Sequence, residues 1–113
     1  MYISYDSPQL DTVLSALANT KRRGIIHDLA LHPVTVGELA RRHELSLPAI
    51  HKHIRTLEEA NLIVRKKAGR ANFVALNNNT LGLAQSWITQ YHTTWGNAAA
   101  TLENYISTMQ QHK

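Results

Sequence analysis

The side chains with the greatest capacity for chemistry in this sequence are cations, and they are concentrated in the middle of the chain. Residues 21–70 carry eleven of the twelve lysines and arginines but five of the eight acids, a local charge of +6 in a chain of net charge +4. The two flanking segments together therefore carry −2. A cationic centre of this kind suits a polyanion such as nucleic acid, although mixed charges also solvate ordinary protein surfaces.

The same inventory argues against most enzymatic chemistry. The chain has no cysteine, so it can form no disulfide, thiolate nucleophile or zinc finger. It also shows no glycine-rich phosphate loop and no sign of a paired-carboxylate pocket, and its seven histidines are scattered along the sequence. We therefore predict a protein that is not an enzyme and that binds no cofactor.

Length and hydropathy predict one small domain. A chain of 113 residues with 43% hydrophobic residues supports a single domain with a small core, which association with a second copy would enlarge. The N-terminus lacks a basic region followed by an apolar run, and no stretch of about 18 apolar residues occurs. The sequence thus predicts a cytoplasmic protein with no contact to a membrane.

Helix and strand signals give the order of elements that must position the cations. Ser7-Pro8 begins a first helix, Asn19 or Thr20 caps a second, and His32-Pro33 ends it. A helix–turn–helix, a β-hairpin and a long last helix follow. The predicted fold is mainly α with a small β-hairpin wing, a winged helix-turn-helix in the order α1-α2-α3-α4-β1-β2-α5.

The centre of this fold is a pair of short helices in residues 35–60. Thr35 and Glu38 match a capping box for the third helix, and Ser46 caps a fourth helix that runs to about Ala60. A helical wheel of the fourth helix places an apolar set toward the core, Ile50, Ile54 and Leu57. Its opposite side carries Pro48, His51, Lys52, Arg55 and Glu59, with Leu47 at the rim. A recognition helix for the DNA major groove needs this division, and an ordinary antiparallel helix pair is the alternative.

A basic hairpin follows the fourth helix. Two β-type runs, residues 62–64 and 73–76, enclose a tip with one glycine, Gly69, which can adopt a positive φ. The cations of this segment, with no acid among them, are Arg65, Lys66, Lys67 and Arg70. They favour a wing that contacts flanking DNA, whereas lysines that protect an edge strand from aggregation are the alternative.

Four segments resemble the ArsR family of winged helix-turn-helix repressors. Residues 17–26 (LANTKRRGII) are similar to the family's opening signature, and residues 35–40 (TVGELA) to the start of its third helix. Residues 45–57 (LSLPAIHKHIRTL) are similar to its recognition helix, and residues 59–63 (EANLI) to its turn into the wing. The resemblance implies a prokaryotic, nucleoid-associated repressor or autorepressor that binds a palindromic operator as a homodimer.

The resemblance also implies which residues contact DNA. Carried over position by position, the contacts in the recognition helix are Ser46, Leu47, Pro48, His51, Lys52 and His53. Their own chemistry adds further cations on this helix and on the wing, namely Arg55, Lys66, Lys67 and Arg70. The family usually has Gln or Ser at the position of Leu47 and Ser or Thr at that of His51, so the operator sequence is not implied.

Some members of the family sense metals, through cysteine or through Asp, His and Glu on the last helix. Without cysteine, the ligands left to this chain are His92, Glu103, His112 and, on the first helix, Asp11. His92 and Glu103 would be about 16 Å apart along one helix, so only an antiparallel partner could combine them. His51 and His53 are about 200° apart around their helix and cannot bind one ion. We predict no metal site.

The last helix is the candidate dimer interface. Its apolar residues alternate spacings of four and three over nearly four heptads: Ala84, Ile88, Tyr91, Trp95, Ala98, Leu102, Tyr105 and Met109. With Leu10, Leu14 and Leu17 of the first helix beside it, this seam predicts a two-fold dimer with recognition helices about one DNA turn apart. We expect one continuous or gently bent helix. The alternative is a break at Gly96-Asn97, with the second half folded back on its own monomer.

The single domain of residues 1–113 thus divides into three parts. Residues 1–18 form an N-terminal dimerisation helix, residues 19–77 the DNA-binding core and wing, and residues 80–110 a C-terminal dimerisation helix. The predicted function is a sequence-specific DNA-binding transcriptional regulator. Its alternatives are a winged-helix module that binds proteins without specific DNA readout, and a repressor that responds to a metal or another inducer.

Overall fold

The helices and the sheet occur in the order that the sequence predicts, with one added strand and a divided last helix. The computed structural model describes residues 3–91 and 98–111. Its elements are α1 (Pro8–Leu17), α2 (Thr20–Leu29), β1 (Val34–Thr35), α3 (Val36–Arg42), α4 (Leu47–Glu59), β2 (Ile63–Ala68), β3 (Ala71–Leu76), α5 (Asn78–Thr89) and α6 (Ala98–Gln111). The predicted winged helix-turn-helix fold is confirmed.

Side-chain caps determine where the first four helices begin. In each case the capping oxygen accepts a hydrogen bond from the backbone N–H three residues further on. The capping residues are Ser7, Asn19, Thr35 and Ser46. Each such bond pairs a backbone donor that the helix cannot satisfy itself, and this is why these boundaries can be predicted from the sequence.

The capping box predicted at Thr35 and Glu38 is only half formed. Thr35 Oγ1 accepts from the Glu38 N–H at 3.2 Å, but the Glu38 carboxylate binds the guanidinium groups of Arg41 and Arg42 instead. Hydrogen bonds from Arg41 and then Arg42 lower the pKa of the Glu38 carboxyl to about 2. This carboxylate therefore offsets one of the two positive charges at the end of α3.

The core lies where the helix-turn-helix meets the sheet. Ile50, Ile54 and Leu57 of α4 are fully buried, as predicted, and pack with Leu39 of α3 and Ile25 of α2. Burial of an aliphatic side chain contributes about 1.5–3 kcal/mol. The apolar side of α4 therefore holds this helix firmly and leaves its polar side outward.

The hairpin is longer than predicted and is joined by a third strand. The sheet has the order β1-β3-β2, with Val34 paired to Val74 on one edge. On the other side, the antiparallel pairing of β2 and β3 continues to Ala68 and Ala71, with Gly69 at φ +62° in the turn. The cations at 65–67 therefore lie within β2 rather than in a six-residue tip.

The prediction of one continuous helix over residues 80–110 is wrong, because α5 ends at Thr89. The Gln90 side chain forms two hydrogen bonds with the backbone of Ile3. Its Oε1 accepts from the Ile3 N–H at 2.9 Å, and its Nε2 donates to the Ile3 carbonyl at 2.8 Å. The Tyr91 N–H bonds to the Ile88 carbonyl in a tightened last turn. The alternative, a break at Gly96-Asn97, concerns residues outside the described ranges, as do His92 and Trp95.

The α2 helix holds the turn that precedes α4. The imidazole Nε2 of His43, the residue after α3, is 2.7 Å from a carboxylate oxygen of Asp28. The backbone carbonyl of His43 accepts a hydrogen bond from Lys21 Nζ at 3.0 Å. A Cβ atom on Gly24 would lie 2.8 Å from the His43 ring. The absence of a side chain at Gly24 thus permits the close contact between α2 and the turn.

Replacing Gly24 by alanine is expected to lower the free energy of unfolding by about 1–3 kcal/mol, because the new methyl group overlaps the His43 ring. Gly37→Ala is the matched control: this glycine is also in a helix, but nothing lies within 4 Å of its added Cβ. The control should be neutral or more stable by up to about 1 kcal/mol, the difference in helix propensity. Urea unfolding measures the free energy of unfolding of both variants. Equal values would contradict a close contact between Gly24 and the His43 ring.

Candidate nucleic-acid interface

The outward side of α4 is a mixed polar surface with two exposed cations. Lys52 and Arg55 are exposed, as are Pro48 and Leu47, the latter to 56%. Ser46 is exposed at the N-terminus, where its hydroxyl accepts from the Ala49 N–H at 3.3 Å. Donors that can reach phosphates or base edges therefore project from a helix anchored by its opposite side.

A groove joins α4 to the wing. It has a volume of about 360 Å³ and is lined by Leu47 and His51 of α4, the start of α3, and Arg70, Ala71 and Asn72 of the hairpin. His51 is half-buried there, whereas Arg70 is exposed. Residues far apart in the sequence are thus brought into one surface, and the predicted contacts Leu47, His51 and Arg70 share it.

The four cations of the wing do not share one face of the sheet. Strand alternation places Arg65 and Lys67 on one face and Lys66 on the other, where Lys66 lines an open apolar groove with Pro33, Val64 and Phe73. Arg65 Nη2 donates to a Glu58 carboxylate oxygen at 2.9 Å and so connects β2 to α4. Lys66, Lys67 and Arg70 have no such acidic partner among the described ion pairs, and of these Lys67 lies on the same face as Arg65.

A cationic contact between α2 and α4 is not apparent from the sequence. Arg22 donates from Nε to the Ala16 carbonyl at 2.6 Å and from Nη2 to the Ser15 carbonyl at 3.3 Å, while its Nη1 lies 3.5 Å from His53 Nδ1. Burial and the charges of Arg22, Lys52 and Lys21 lower the pKa of the His53 imidazole. The run Lys21-Arg22-Arg23 at the start of α2 was the available signal, but only the packing of α2 on α4 shows what it faces.

The predicted dimerisation residues fall into two groups. Leu10 is only 1% exposed in the single chain, so little of its side chain is free for the predicted interface. Leu14 and Leu17 are half-buried. The residues on α5, the turn after it and α6 are largely exposed: Ile88, Tyr91, Leu102 and Tyr105. Trp95 lies outside the described residues.

Neither a metal cluster nor a membrane helix is found in the described part of the chain. Residues 3–91 and 98–111 contain no group of three or more His, Asp or Glu side chains that could hold an ion. Within the same ranges, no helix combines the length and the apolar content needed to cross a bilayer. The candidate ligands His92 and His112 fall outside the described residues.

A helix-turn-helix followed by a β-hairpin, with exposed cations on its second helix and on the hairpin, defines a winged helix-turn-helix protein of the DNA-binding class. Comparison with known proteins agrees. Residues 17–66 match the family model described as "Helix-turn-helix domain". The chain is 34% identical over 90 residues to the HTH-type transcriptional regulator Rv2034 of Mycobacterium tuberculosis, a match that covers 80% of this chain and 82% of that protein.

A second curated relative is the transcriptional repressor SdpR of Bacillus subtilis, 26% identical over 73% of this chain and 91% of that protein. Among solved structures, the ArsR family transcriptional regulator RHA00566 superposes with a TM-score of 0.71 at 31% identity, covering 78% of this chain and 91% of that one. HlyU from Vibrio cholerae gives a TM-score of 0.64 at 27% identity, with coverages of 79% and 98%.

The chain belongs to the ArsR family of helix-turn-helix transcriptional regulators. It is accordingly a DNA-binding transcription regulator and not an enzyme. The family resemblance inferred from residues 17–63 is confirmed.

Proposed function

We propose that this regulator binds a palindromic operator as a homodimer and represses transcription from it. The observation that carries the proposal is the exposed pair Lys52 and Arg55 on the outward side of α4, next to the groove that contains His51 and Arg70. In this arrangement α4 lies in the major groove and the hairpin contacts the flanking DNA. The name of the relative SdpR, a transcriptional repressor, supports repression over activation.

Each side chain of the surface has a role suited to its chemistry. Lys52 and Arg55 bind phosphates or guanine O6 and N7, and His51 donates or accepts at a base edge. Leu47, at 56% exposure, offers an apolar contact to a thymine methyl group. At the N-terminus of α4, Pro48 has no N–H and the Ala49 N–H is bound by Ser46, so the Leu47 N–H is the backbone donor that can reach a phosphate.

The wing supplies further contacts. Lys67 and Arg70 lie on or near the face of the hairpin that borders α4, and their charges favour the backbone or a narrow minor groove. Lys66 projects from the opposite face and reaches DNA only from the back of the hairpin. His53 lies on the side of α4 that faces α2. From this position it reaches a phosphate of the duplex and not a base edge.

Dimerisation uses the outer part of the fold. Ile88 on α5 and Leu102 on α6 are both 61% exposed, and α6 buries none of its residues in the protomer. Apolar surface of this extent favours a second copy, and a two-fold axis repeats α4 in successive major grooves. Residues 19–77 then form the DNA-binding part, and residues 1–18 and 80–110 support the dimer. We place the protein in the cytoplasm, at the nucleoid.

Selection of bound DNA from a random pool tests the proposal. We expect enrichment of an inverted repeat with half-sites about one helical turn apart. Binding to the selected duplex should weaken about 10³- to 10⁵-fold between roughly 50 and 200 mM salt, as for proteins that make about six to ten phosphate contacts. Failure to enrich any sequence, together with weak salt dependence, would instead favour the protein-interaction module.

A further inference from the structure

Cations from two helices surround one imidazole on the flank of α4. His53 is half-buried between α2 and α4, with the Arg22 guanidinium 3.5 Å from its Nδ1. Lys52, its neighbour on α4, is exposed, and so is Lys21 on α2. Burial lowers the pKa of the His53 imidazole, and so do the charges of cations from both helices. A surface that concentrates positive charge around an uncharged imidazole is suited to binding an anion.

We propose that Lys21, Lys52 and His53 together bind one backbone phosphate of DNA, and that His53 takes up a proton as the phosphate binds. The inference rests on the proposed function and deepens it, since it adds α2 to the DNA-binding surface and makes affinity dependent on pH. Lys21 and Lys52 supply the ammonium groups, and the imidazole donates from its Nε2–H. The proton that it takes up goes to Nδ1, which then no longer accepts from the Arg22 guanidinium 3.5 Å away.

The hydrogen bonds decide which groups are free to bind the phosphate. Arg22 already donates to two carbonyl oxygens at the end of α1, so it holds α1, α2 and α4 together. Lys21 Nζ donates to the His43 carbonyl at 3.0 Å, and its ammonium group has further N–H donors. No hydrogen bond or ion pair of the Lys52 ammonium group is found among the described residues.

The direction of the proton linkage follows from the same contacts. A guanidinium can only donate, so the bond from Arg22 requires an unprotonated Nδ1 on His53. Burial and the neighbouring cations lower the pKa of this imidazole in the free protein. A bound phosphate offsets those cations and raises the pKa again. DNA binding therefore takes up protons, and affinity increases as the pH falls.

Other titratable groups near this surface have partners of their own or lie apart from it. Asp28 on α2 is paired with His43 at 2.7 Å. Asp11 and Glu59 line a neighbouring groove between α1 and α4, and neither is among the groups that shift the pKa of His53. Within the described part of the chain, the groups that act on His53 from the packed helices are thus Lys21, Arg22 and Lys52.

Fluorescence anisotropy with a labelled mixed-sequence duplex of about 30 base pairs tests the proposal, because phosphate contacts do not need a specific sequence. We expect the wild type to bind more tightly as the pH falls from about 8 to about 6. The affinity should increase about tenfold for each unit by which bound DNA raises the pKa of His53. His53→Gln should bind with little dependence on pH. Lys21→Gln should lower the slope of log affinity against log salt by about 0.9 for each protomer bound.

Matched variants separate this site from its surroundings. His27→Gln, which removes an exposed histidine of α2 that is not among the proposed DNA contacts, should keep the pH dependence, and Arg23→Gln, the exposed neighbouring cation on α2, should keep both slopes. Thermal unfolding of each variant verifies that it is folded. Equal pH dependence in His53→Gln and the wild type would overturn the inference while leaving DNA binding intact. Absence of DNA binding by the wild type at every pH would instead overturn the proposed function.

Discussion

Replacing Lys52 and Arg55 together by alanine is expected to weaken DNA binding by about 10³-fold or more. Each cation contact with a base or phosphate contributes about 1–3 kcal/mol, and a dimer loses each contact twice. Both side chains are exposed and neither supports the core, so the free energy of unfolding should change by no more than about 0.5 kcal/mol. A titration of the selected operator, repeated at several salt concentrations, measures the loss in affinity and the loss in slope.

The matched control for this variant is the double replacement of Arg41 and Arg42 by alanine. It removes the same charge, but these two arginines lie on α3 and are paired with Glu38. We expect the control to bind within a few-fold of the wild type, since only the long-range field of the protein changes. An equal loss of affinity in both double variants would mean that total charge, and not the outward side of α4, determines binding.

Replacing Ile88 by glutamate is expected to dissociate the proposed dimer. Ile88 is 61% exposed on α5 in the single chain, and burial of an isoleucine contributes about 1.5–3 kcal/mol. A two-fold interface contains this residue twice, so the dimer should weaken by about 3–6 kcal/mol, or about 10² to 10⁴ in its dissociation constant. Sedimentation equilibrium over a range of protein concentrations measures the change. Operator binding should weaken in parallel, because each protomer then binds its half-site alone.

Val64→Glu provides the comparison for the dimer variant. Val64 is exposed to a similar extent, 55%, but lies on the back of the wing in the groove with Phe73 and Ala75. This variant should remain a dimer if the interface is formed by α5 and α6. A monomeric Val64→Glu protein beside a dimeric Ile88→Glu protein would move the interface to the wing.

The apolar groove behind the wing has a volume of about 630 Å³ and is lined by Lys66 among others. The sequence suggested one continuous cationic wing, whereas in the fold the wing cations lie on two different faces of the hairpin. Alternation along β2 separates Lys66 from Arg65 and Lys67, and the pairing with β3 determines which face meets α4. The number of cations was therefore predictable, but their directions depended on the length of the hairpin.

The features that could be derived from the sequence are those governed by residues close together along the chain. The caps at Ser7, Asn19, Thr35 and Ser46 act over three residues, and the apolar period of α4 is a property of that helix alone. These local rules, with the motifs at residues 17–63, were sufficient to predict the helix-turn-helix, the family and the outward position of Lys52 and Arg55.

The remaining features depend on contacts between distant parts of the chain, which local patterns do not encode. Strand β1 exists because Val34 meets Val74, and α5 ends where Gln90 bonds to Ile3, 87 residues away. Leu10 is buried within its own protomer, so little of its side chain is free to contact a partner. Arg22 and His53, 31 residues apart, become neighbours only when α2 packs on α4, and that packing creates the environment in which a histidine can respond to DNA.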